Sequence, residues 1–233
     1  MATESVDPIE GDRHMEGGYA MHSRLTHALV DGRWDLLGYS IWTRLRRLDL
    51  RKASHEEMEI DKSCGNEHAD SGGPDLVRVL RTLEISVVDR IVDLGSGKGG
   101  AMLTMSRFPF SEILGIELSE RMISIARKNA AKLHVKNVSF IRSDAATFRD
   151  FDRFTYVYMF NPFPAHVIRE VMLNLAASAL RLPRKITLIY KYPGCPDELV
   201  DREIFPKKDE FHYKGSHPFS IYTTKTSCTG GRE

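Results

Sequence analysis

The sequence predicts an α/β protein with a doubly wound, mostly parallel β-sheet. Between residues 75 and 191, short apolar runs alternate with stretches that repeat apolar residues at helical spacing. That alternation is typical of a parallel sheet with helices on both faces. A glycine-rich loop follows the first apolar run, and acidic residues follow the next two. A chain of 233 residues is long enough for one well-buried domain and an additional N-terminal element.

Each element is predicted from its apolar pattern and from the residues that bound it. The expected strands are residues 90–94, 113–117, 138–142, 155–160 and 185–191. The expected helices are a first one that starts near Pro74, a short one over 101–108, and longer ones over 119–133 and 164–181. Proline suits the first turn of a helix, and Ser119 suits an N-cap. A terminal hairpin is expected from residues 211–213 and 219–223.

The N-terminal third has a different pattern from the rest. We expect residues 1–18 to be disordered, residues 19–71 to form a helical or lid segment, residues 72–226 to form the main domain, and residues 227–233 to fray. Trp42, Leu45 and Leu48 recur at helical spacing among basic residues. They indicate either a basic lid or partner-binding helix, or a helix that simply packs on the core. The polar residues 53–73 are either a lid or a plain linker.

Composition narrows the class of protein. The 33 basic and 32 acidic residues give a net charge of +1, which argues against nucleic acid as a partner, although net charge does not reveal a local patch. The three cysteines have no metal-ligand spacing and indicate reduced thiols in a cytoplasmic protein. No run approaches the ~20 apolar residues of a membrane helix. We therefore expect no membrane association and no metal.

Residues 91–100 read Ile-Val-Asp-Leu-Gly-Ser-Gly-Lys-Gly-Gly and predict a nucleoside-cofactor site. Glycines let the backbone turn sharply and approach a ligand closely. Gly95, Gly97 and Gly100 also satisfy the dinucleotide-binding pattern, with Glu117 placed to bind a ribose. Asp93 instead favours a ligand with an ammonium group, because it would repel a pyrophosphate. An NAD-dependent oxidoreductase and a noncatalytic cofactor-binding protein remain as alternatives.

The ordered motifs resemble those of class I S-adenosylmethionine-dependent methyltransferases. The resemblance covers roughly residues 72–192 and rests on Asp93-x-Gly95-x-Gly97-x-Gly99, then Glu117, Asp144 and the Asn-Pro-Phe sequence at 161–163. More narrowly, residues 92–99 and 159–163 are similar to bacterial methyltransferase-like proteins. Those proteins are distantly related to the non-SET histone-lysine methyltransferases.

The resemblance implies S-adenosylmethionine as the cofactor and a role for each motif. The glycines would pass under its amino-acid part, Asp93 would meet its ammonium group or orient the loop, and Glu117 would hold the ribose. Asp144 and the Ala145 amide would bind adenine. The implied cofactor-binding residues are Asp93, Gly95, Ser96, Gly97, Gly99, Glu117, Leu118, Asp144, Ala145 and Asn161.

Asn161 and Tyr158 are the candidate catalytic residues. The Asn161 side chain, with the Pro162 carbonyl, would accept hydrogen bonds from an acceptor amine, as in the Asn-Pro-Pro-aromatic motif of amino-methyltransferases. Phe163 replaces the second proline, and the alternative role for Asn161 is to cap the following helix. No general base is required, because a sulfonium is already a strong electrophile; His166, Tyr190, Lys191 and Tyr192 are minor candidates. We expect a nitrogen or oxygen of a small molecule as the acceptor, with a protein lysine as the alternative.

Overall fold

The computed structural model describes residues 33–160, 163–193 and 200–225. The expectations for residues 1–18 and 227–233 lie outside this part of the chain, and so does Asn161. None of the described helices is long and apolar enough to cross a membrane.

The described strands form a single seven-stranded sheet, as expected for a doubly wound α/β fold. Five parallel strands are followed at one edge by two antiparallel ones, in the order β3-β2-β1-β4-β5-β7-β6. The strands are β1 Arg90–Leu94, β2 Glu112–Glu117, β3 Val138–Arg142, β4 Tyr156–Phe160, β5 Thr187–Lys191, β6 Lys207–Phe211 and β7 Phe219–Thr223. The order reverses between β1 and β4, and in such sheets ligands bind beyond the carboxyl ends of the strands at that point.

The helices follow the predicted order, with small shifts at their ends. They are α1 Trp34–Leu45, α2 His55–Met58, α3 Pro74–Arg81, α4 Gly100–Met105, α5 Glu120–Lys132 and α6 Ala165–Arg181. Pro74 opens α3, and the Ser119 hydroxyl accepts a hydrogen bond from the Met122 amide at 3.2 Å, as predicted for an N-cap. Helix α4 ends earlier than expected, and Pro109 restricts the residue before it to extended backbone.

Two elements differ from the sequence-based expectation. Strand β6 begins at Lys207 rather than 211. It pairs with β7, with Lys207 opposite Tyr222 and Phe211 opposite Phe219. The segment expected to be either a lid or a linker contains a short helix, α2, which Ser54 and Glu57 cap reciprocally. This Ser-x-x-Glu spacing is a recognised helix-start signal, so the sequence already contained the information.

Alternate residues of the central strands pack against opposite helical layers, because side chains alternate along a strand. Val92, Leu94 and Val157 belong to the apolar cluster that contains α6. Ile91 and Ile113 belong to the cluster that contains α3, α4 and α5. Asp93 shares the second face by alternation and is buried there. The core thus places a carboxyl group within the sheet, directly before the glycine loop.

Helix α1 lies on the surface and contributes no buried residue. Trp34 is 67% exposed and Leu45 is 77% exposed. Leu48, expected at helical spacing, lies beyond the end of α1 and packs against the second apolar cluster instead. The amphipathic pattern therefore marks a helix whose apolar residues remain largely open to solvent.

The segment that follows α1 is fastened to α5 through one buried side chain. Asn129 donates to the carbonyls of Asp49 (2.9 Å) and Lys98 (3.1 Å), and its oxygen accepts from the Asp49 amide at 3.0 Å. The Lys98 ammonium also lies 3.0 Å from the Asp49 carboxylate. Asn129 is fully buried, and its bond to the Lys98 carbonyl is buried as well, whereas the two bonds to Asp49 are partly buried.

We predict that Asn129→Ala lowers the free energy of unfolding by about 1–3 kcal/mol, because it leaves buried backbone groups without partners. Denaturant unfolding measures this loss. Asn174→Ala is the matched control, since it removes a single partly exposed bond to the Ala146 carbonyl. Equal losses in the two variants would contradict the assigned role of Asn129.

Candidate active site

A cavity of about 250 Å³ lies at the carboxyl ends of the central strands. Residues 95–100, here called the glycine loop, form one wall together with Glu117, Leu118, Asp144 and Ala145. A second wall, the aromatic wall, consists of Phe160, Phe163, Tyr192 and His217. Residues 58–71, the cover segment, contribute the third. The cavity therefore brings together residues from both sides of the point where the strand order reverses.

The glycine loop is tied to the end of β2. The amides of Gly95 and Ser96 both donate to the Ile116 carbonyl, at 2.9 and 3.0 Å. Gly97 has φ +51°, a conformation that favours glycine, and its amide donates to Glu117 Oε2 at 2.8 Å. A Cβ atom at position 97 would lie only 2.2 Å from the His68 ring. The loop geometry therefore requires glycine both for its backbone and for its contact with the cover segment.

Glu117 is held by backbone donors on both of its carboxylate oxygens. The second oxygen, Oε1, accepts from the Ser119 amide at 2.9 Å. The residue is 8% exposed, and burial raises its pKa. A carboxylate oxygen retains further lone pairs after accepting one hydrogen bond, so Glu117 can still accept from a ligand hydroxyl in the cavity.

Asp93 is the more deeply buried of the two carboxyl groups, at 2% exposure. Burial raises its pKa to about 8, and the negative charge of Glu117 adds to the effect. A cation close to both groups would favour their charged forms. Glu117 lines the cavity, whereas Asp93 lies behind the glycine loop and is not among the described residues that line it. A negative charge at this place favours a ligand that carries an ammonium group over a pyrophosphate.

Two further observations fit a nucleoside ligand. The Ser96 hydroxyl is buried and has no hydrogen-bond partner among the described residues. Buried polar atoms of this kind call for a partner, and Ser96 lines the cavity. Asp144 is exposed at the cavity edge, where its Oδ1 atom accepts from the Ala146 amide at 2.8 Å, and Ala145 beside it is buried. The Ser96 hydroxyl thus suits the amino-acid part of S-adenosylmethionine, and Asp144 and Ala145 suit its base.

Gly99 has a different position from its neighbours in the motif. Its φ is +82°, and it forms the N-cap of α4. A Cβ at this position would lie about 3.3–3.4 Å from Ala126 and Phe140, on the core side of the loop. Gly99 therefore shapes the turn, whereas Gly95, Ser96 and Gly97 line the cavity.

The candidate catalytic residues are not brought together in the described structure. Asn161 lies outside the described residues. Tyr158 is fully buried beneath the cover segment, where its hydroxyl donates to the Ser71 carbonyl at 3.4 Å. Burial raises its pKa well above the usual value, so it is poorly suited to act as a base. Its hydroxyl instead links β4 to the cover segment.

The minor candidates fall in separate places. Lys191 is buried, and its ammonium lies 3.3 Å from the Ser71 carbonyl and 5.0 Å from the centre of the Phe160 ring. Tyr190 is buried on β5, and His166 is exposed on α6. Tyr192 lines the cavity, with φ +50° and its ring centre 4.0 Å from that of His217.

Sequence reasoning left the cover segment as either a lid or a linker and did not identify His217. His217 precedes β7 and reaches the cavity only because β7 pairs with β5. Its ring centre lies 5.9 Å from that of Phe160. No local pattern marks His217. Nothing in the polar composition of residues 58–71 indicated that His68 would lie against Gly97.

Comparison with known proteins agrees with this site. Residues 91–184 match the family model of a methyltransferase domain. The release factor glutamine methyltransferase of Buchnera aphidicola is 46% identical over 55 residues, which are 23% of this chain and 20% of that protein. The tRNA (guanine-N(7)-)-methyltransferase of Pediococcus pentosaceus is 33% identical over 61 residues, which are 26% of this chain and 29% of that protein.

A solved structure shows the same fold. The RNA methyltransferase from Salinibacter ruber, in complex with S-adenosyl-L-homocysteine, aligns with a TM-score of 0.53 at 19% identity. The alignment covers 69% of this chain and 96% of that one. By contrast, the matches to the curated relatives span less than a third of their length.

The chain therefore contains a class I S-adenosylmethionine-dependent methyltransferase domain. The predicted fold, enzyme class and cofactor are confirmed at the level of this domain. The predicted partners are wrong. We expected a small-molecule substrate and no nucleic acid, whereas the relatives are named for tRNA and release-factor methylation. Net charge averages over the whole surface, so it does not report on a local binding patch.

We predict that the stability of this domain depends on pH through Asp93. Its folded-state pKa, about 8, exceeds the value near 3.9 expected in the unfolded chain. The folded state therefore binds the additional proton, and the free energy of unfolding should fall as pH rises from about 4 to about 8. Asp93→Asn cannot lose a proton, so its stability relative to the unmodified protein should increase over the same range.

Denaturant unfolding at pH 5 and pH 8 measures this difference. Calorimetry with S-adenosylmethionine provides a second test, because a bound ammonium group would favour ionised Asp93. The affinity of the unmodified protein should rise between pH 6 and pH 8 by at most about tenfold per pH unit, and that of Asp93→Asn should rise less. A stability difference that does not change with pH would contradict the assignment.

Proposed function

We propose that this protein transfers a methyl group from S-adenosylmethionine to a nitrogen atom in a planar group on a macromolecule. The observation that carries the proposal is the cavity itself, which the glycine loop and the aromatic wall line together. The first set of residues is suited to the cofactor, and the second set is suited to a flat acceptor.

The residues of the first wall would hold the cofactor as follows. Gly95, Ser96 and Gly97 would lie against its amino-acid part, with buried Asp93 close to the ammonium group. Glu117 would accept hydrogen bonds from the ribose hydroxyls, since backbone amides already fix the position of its carboxylate. Asp144 and Ala145, at the cavity edge, would bind the adenine.

Alignment of the acceptor is then the main task left to the protein. The bound cofactor supplies a methyl group on a sulfonium, which is a strong electrophile without further activation. Holding two reactants in a productive geometry supplies much of the rate acceleration in such a reaction. We infer that Asn161 accepts a hydrogen bond from the acceptor nitrogen and directs its lone pair toward the methyl group. Tyr158 has no part in this step.

Two observations support a planar acceptor on a macromolecule. The His217 ring centre lies 5.9 Å from that of Phe160 and 4.0 Å from that of Tyr192, and all three rings line the cavity. Flat groups stack favourably on such rings. The relatives are named for glutamine methylation of a release factor and for guanine-N(7) methylation of tRNA. A carboxamide and a nucleobase are both planar and bear nitrogen.

The cover segment is proposed to act as a lid. A cavity of about 250 Å³ is slightly smaller than the ~300–1,000 Å³ that is usual for ligand sites. His68 lies against Gly97, and the Asp70 carboxylate lies against Gly100. We infer that the segment moves outward when the cofactor enters.

The cytoplasmic location expected from the sequence remains a prediction.

We predict that Glu117→Ala lowers affinity for S-adenosylhomocysteine by roughly tenfold or more, because hydrogen bonds to charged groups contribute about 1.5–3 kcal/mol. Calorimetry measures the affinity, and circular dichroism checks the fold. Glu120→Ala, three residues away, is the control, because Glu120 is exposed and contacts Arg127 instead. NAD binding to the unmodified protein at micromolar levels, without binding of S-adenosylhomocysteine, would falsify the cofactor assignment.

We predict that Asn161→Ala keeps cofactor affinity and lowers methyl transfer by on the order of a hundredfold, as expected when the acceptor is misplaced by about 1 Å. Transfer of tritiated methyl groups into cell extract measures turnover, and nuclease or protease digestion identifies the labelled fraction. Pro164, not Asn161, is the N-cap of α6. If Asn161 only supports the turn before that helix, stability should fall by about 0.5–1.5 kcal/mol instead, with nearly normal turnover. A destabilised but fully active variant would exclude the positioning role.

A further inference from the structure

A second concave surface lies away from the cofactor cavity. It is formed by α1, α3, the end of α4 and the turn between α5 and β3, and its volume is about 990 Å³. Among the described residues, five basic or imidazole side chains line it: Arg78 is partly buried, and Arg81, Arg107, His134 and Lys136 are exposed. We call this surface the basic groove. None of its residues has a part in the proposed methyl transfer.

The positive charge of the basic groove is not neutralised by its surroundings. Arg81, Arg107 and Lys136 form no ion pair with any described residue. Among the described residues, Asp35 is the one acidic residue that lines the groove, and it is already held by Arg33 at 3.0 Å and by Arg78 at 2.6 Å. The local surface is therefore cationic, although the chain as a whole has a net charge of +1.

An aromatic pair flanks these charges. Tyr39 and Trp42 of α1 stack with a centroid distance of 6.0 Å and an interplanar angle of 22°. Trp42 remains 37% exposed. Exposed aromatic rings beside basic side chains are the combination that binds unpaired nucleotides, because bases stack on the rings while phosphates meet the cations.

Gly38 gives independent support for a ligand in the basic groove. It lies in the middle of α1 with ordinary helical backbone, and a Cβ atom there would meet nothing within 4 Å. Glycine is unfavourable inside a helix, and nothing in the described structure requires it at this position. Close approach of an external molecule would account for it.

The basic groove and the cofactor cavity share a boundary. Asp70 and Ser71 line the cavity, whereas Gly73 and Pro74 line the groove. Tyr39 connects the two sites, because its hydroxyl donates to Asp70 at 3.2 Å and its ring lies against Gly73. A strand lying along the groove would therefore reach residues 70–74, which adjoin the cavity.

We propose that the basic groove binds single-stranded RNA and that this RNA carries the acceptor base. The second half of this inference rests on the proposed function, while binding in the groove does not. Charge complementarity favours a polyanion, and the Tyr39–Trp42 pair favours one with unstacked bases over an acidic protein segment.

Fluorescence anisotropy with a labelled 16-nucleotide RNA of mixed sequence, measured without cofactor over a range of salt concentrations, tests the binding. The variant Arg107→Glu/Lys136→Glu should weaken binding and lower the salt slope by about 1.4, since each phosphate contact on a single strand contributes about 0.7. Trp42→Ala should weaken binding by about tenfold with little change in slope. Gly38→Gln should weaken it without loss of thermal stability, because it fills the groove and favours the helix.

Arg149→Glu/Arg169→Glu is the matched control, because it makes the same charge change at exposed positions outside the groove and should bind RNA normally. Equal weakening by both double variants would overturn the proposal. So would tighter binding of polyglutamate, or of DNA with the same sequence, than of the RNA. If the groove variants lose RNA binding but S-adenosylhomocysteine does not bind, the proposed function fails while the RNA site stands.

Discussion

The hydrogen bonds that Glu117 accepts from Gly97 and Ser119 hold the glycine loop and the turn into α5 in their positions around the cavity. One bond, at 2.8 Å, fixes the glycine loop, and the other, at 2.9 Å, fixes the turn into α5. Both loops begin where a central strand ends, so one carboxylate sets the relative position of two strand ends. The cover segment then packs on this loop through His68. Substitution of Glu117 is therefore expected to disturb the glycine loop, the turn into α5 and, through the loop, the cover segment.

The same arrangement is electrostatically unfavourable in the protein by itself. Burial raises the pKa of both carboxyl groups, Asp93 and Glu117, and the negative charge of Glu117 raises the pKa of Asp93 further. Active sites often contain groups that are destabilised in this way. A ligand with a positive charge would offset the repulsion between these two carboxylates. The unfavourable free energy of holding them together in the ligand-free protein would then favour binding of a cationic ligand. The preference for an ammonium-bearing cofactor over a dinucleotide follows from this charge balance.

The N-terminal segment connects the cofactor cavity with the basic groove. Asn129 fastens its middle to α5, and Tyr39 contacts both Asp70 and Gly73. The segment therefore does more than cover the domain, since it contributes a wall to each site. An acceptor bound along the groove and a cofactor bound in the cavity would meet at residues 70–74, which gives a structural basis for a macromolecular substrate.

The sequence alone determined the features that depend on local pattern. The glycine loop, the acidic residues at strand ends and the Ser119 cap were predictable, because parallel strands bring their carboxyl ends to one edge and caps depend on nearby residues. The tertiary structure decided the rest. Tyr158 looked like a catalytic residue by its place near a strand end, but the packing of Ser71 over it buries the hydroxyl. His217 joins the site through antiparallel pairing of β7 with β5, and Arg81, Arg107 and Lys136 gather although they are dispersed in sequence. Such contacts depend on how distant segments pack, and neither periodicity nor net charge contains that information.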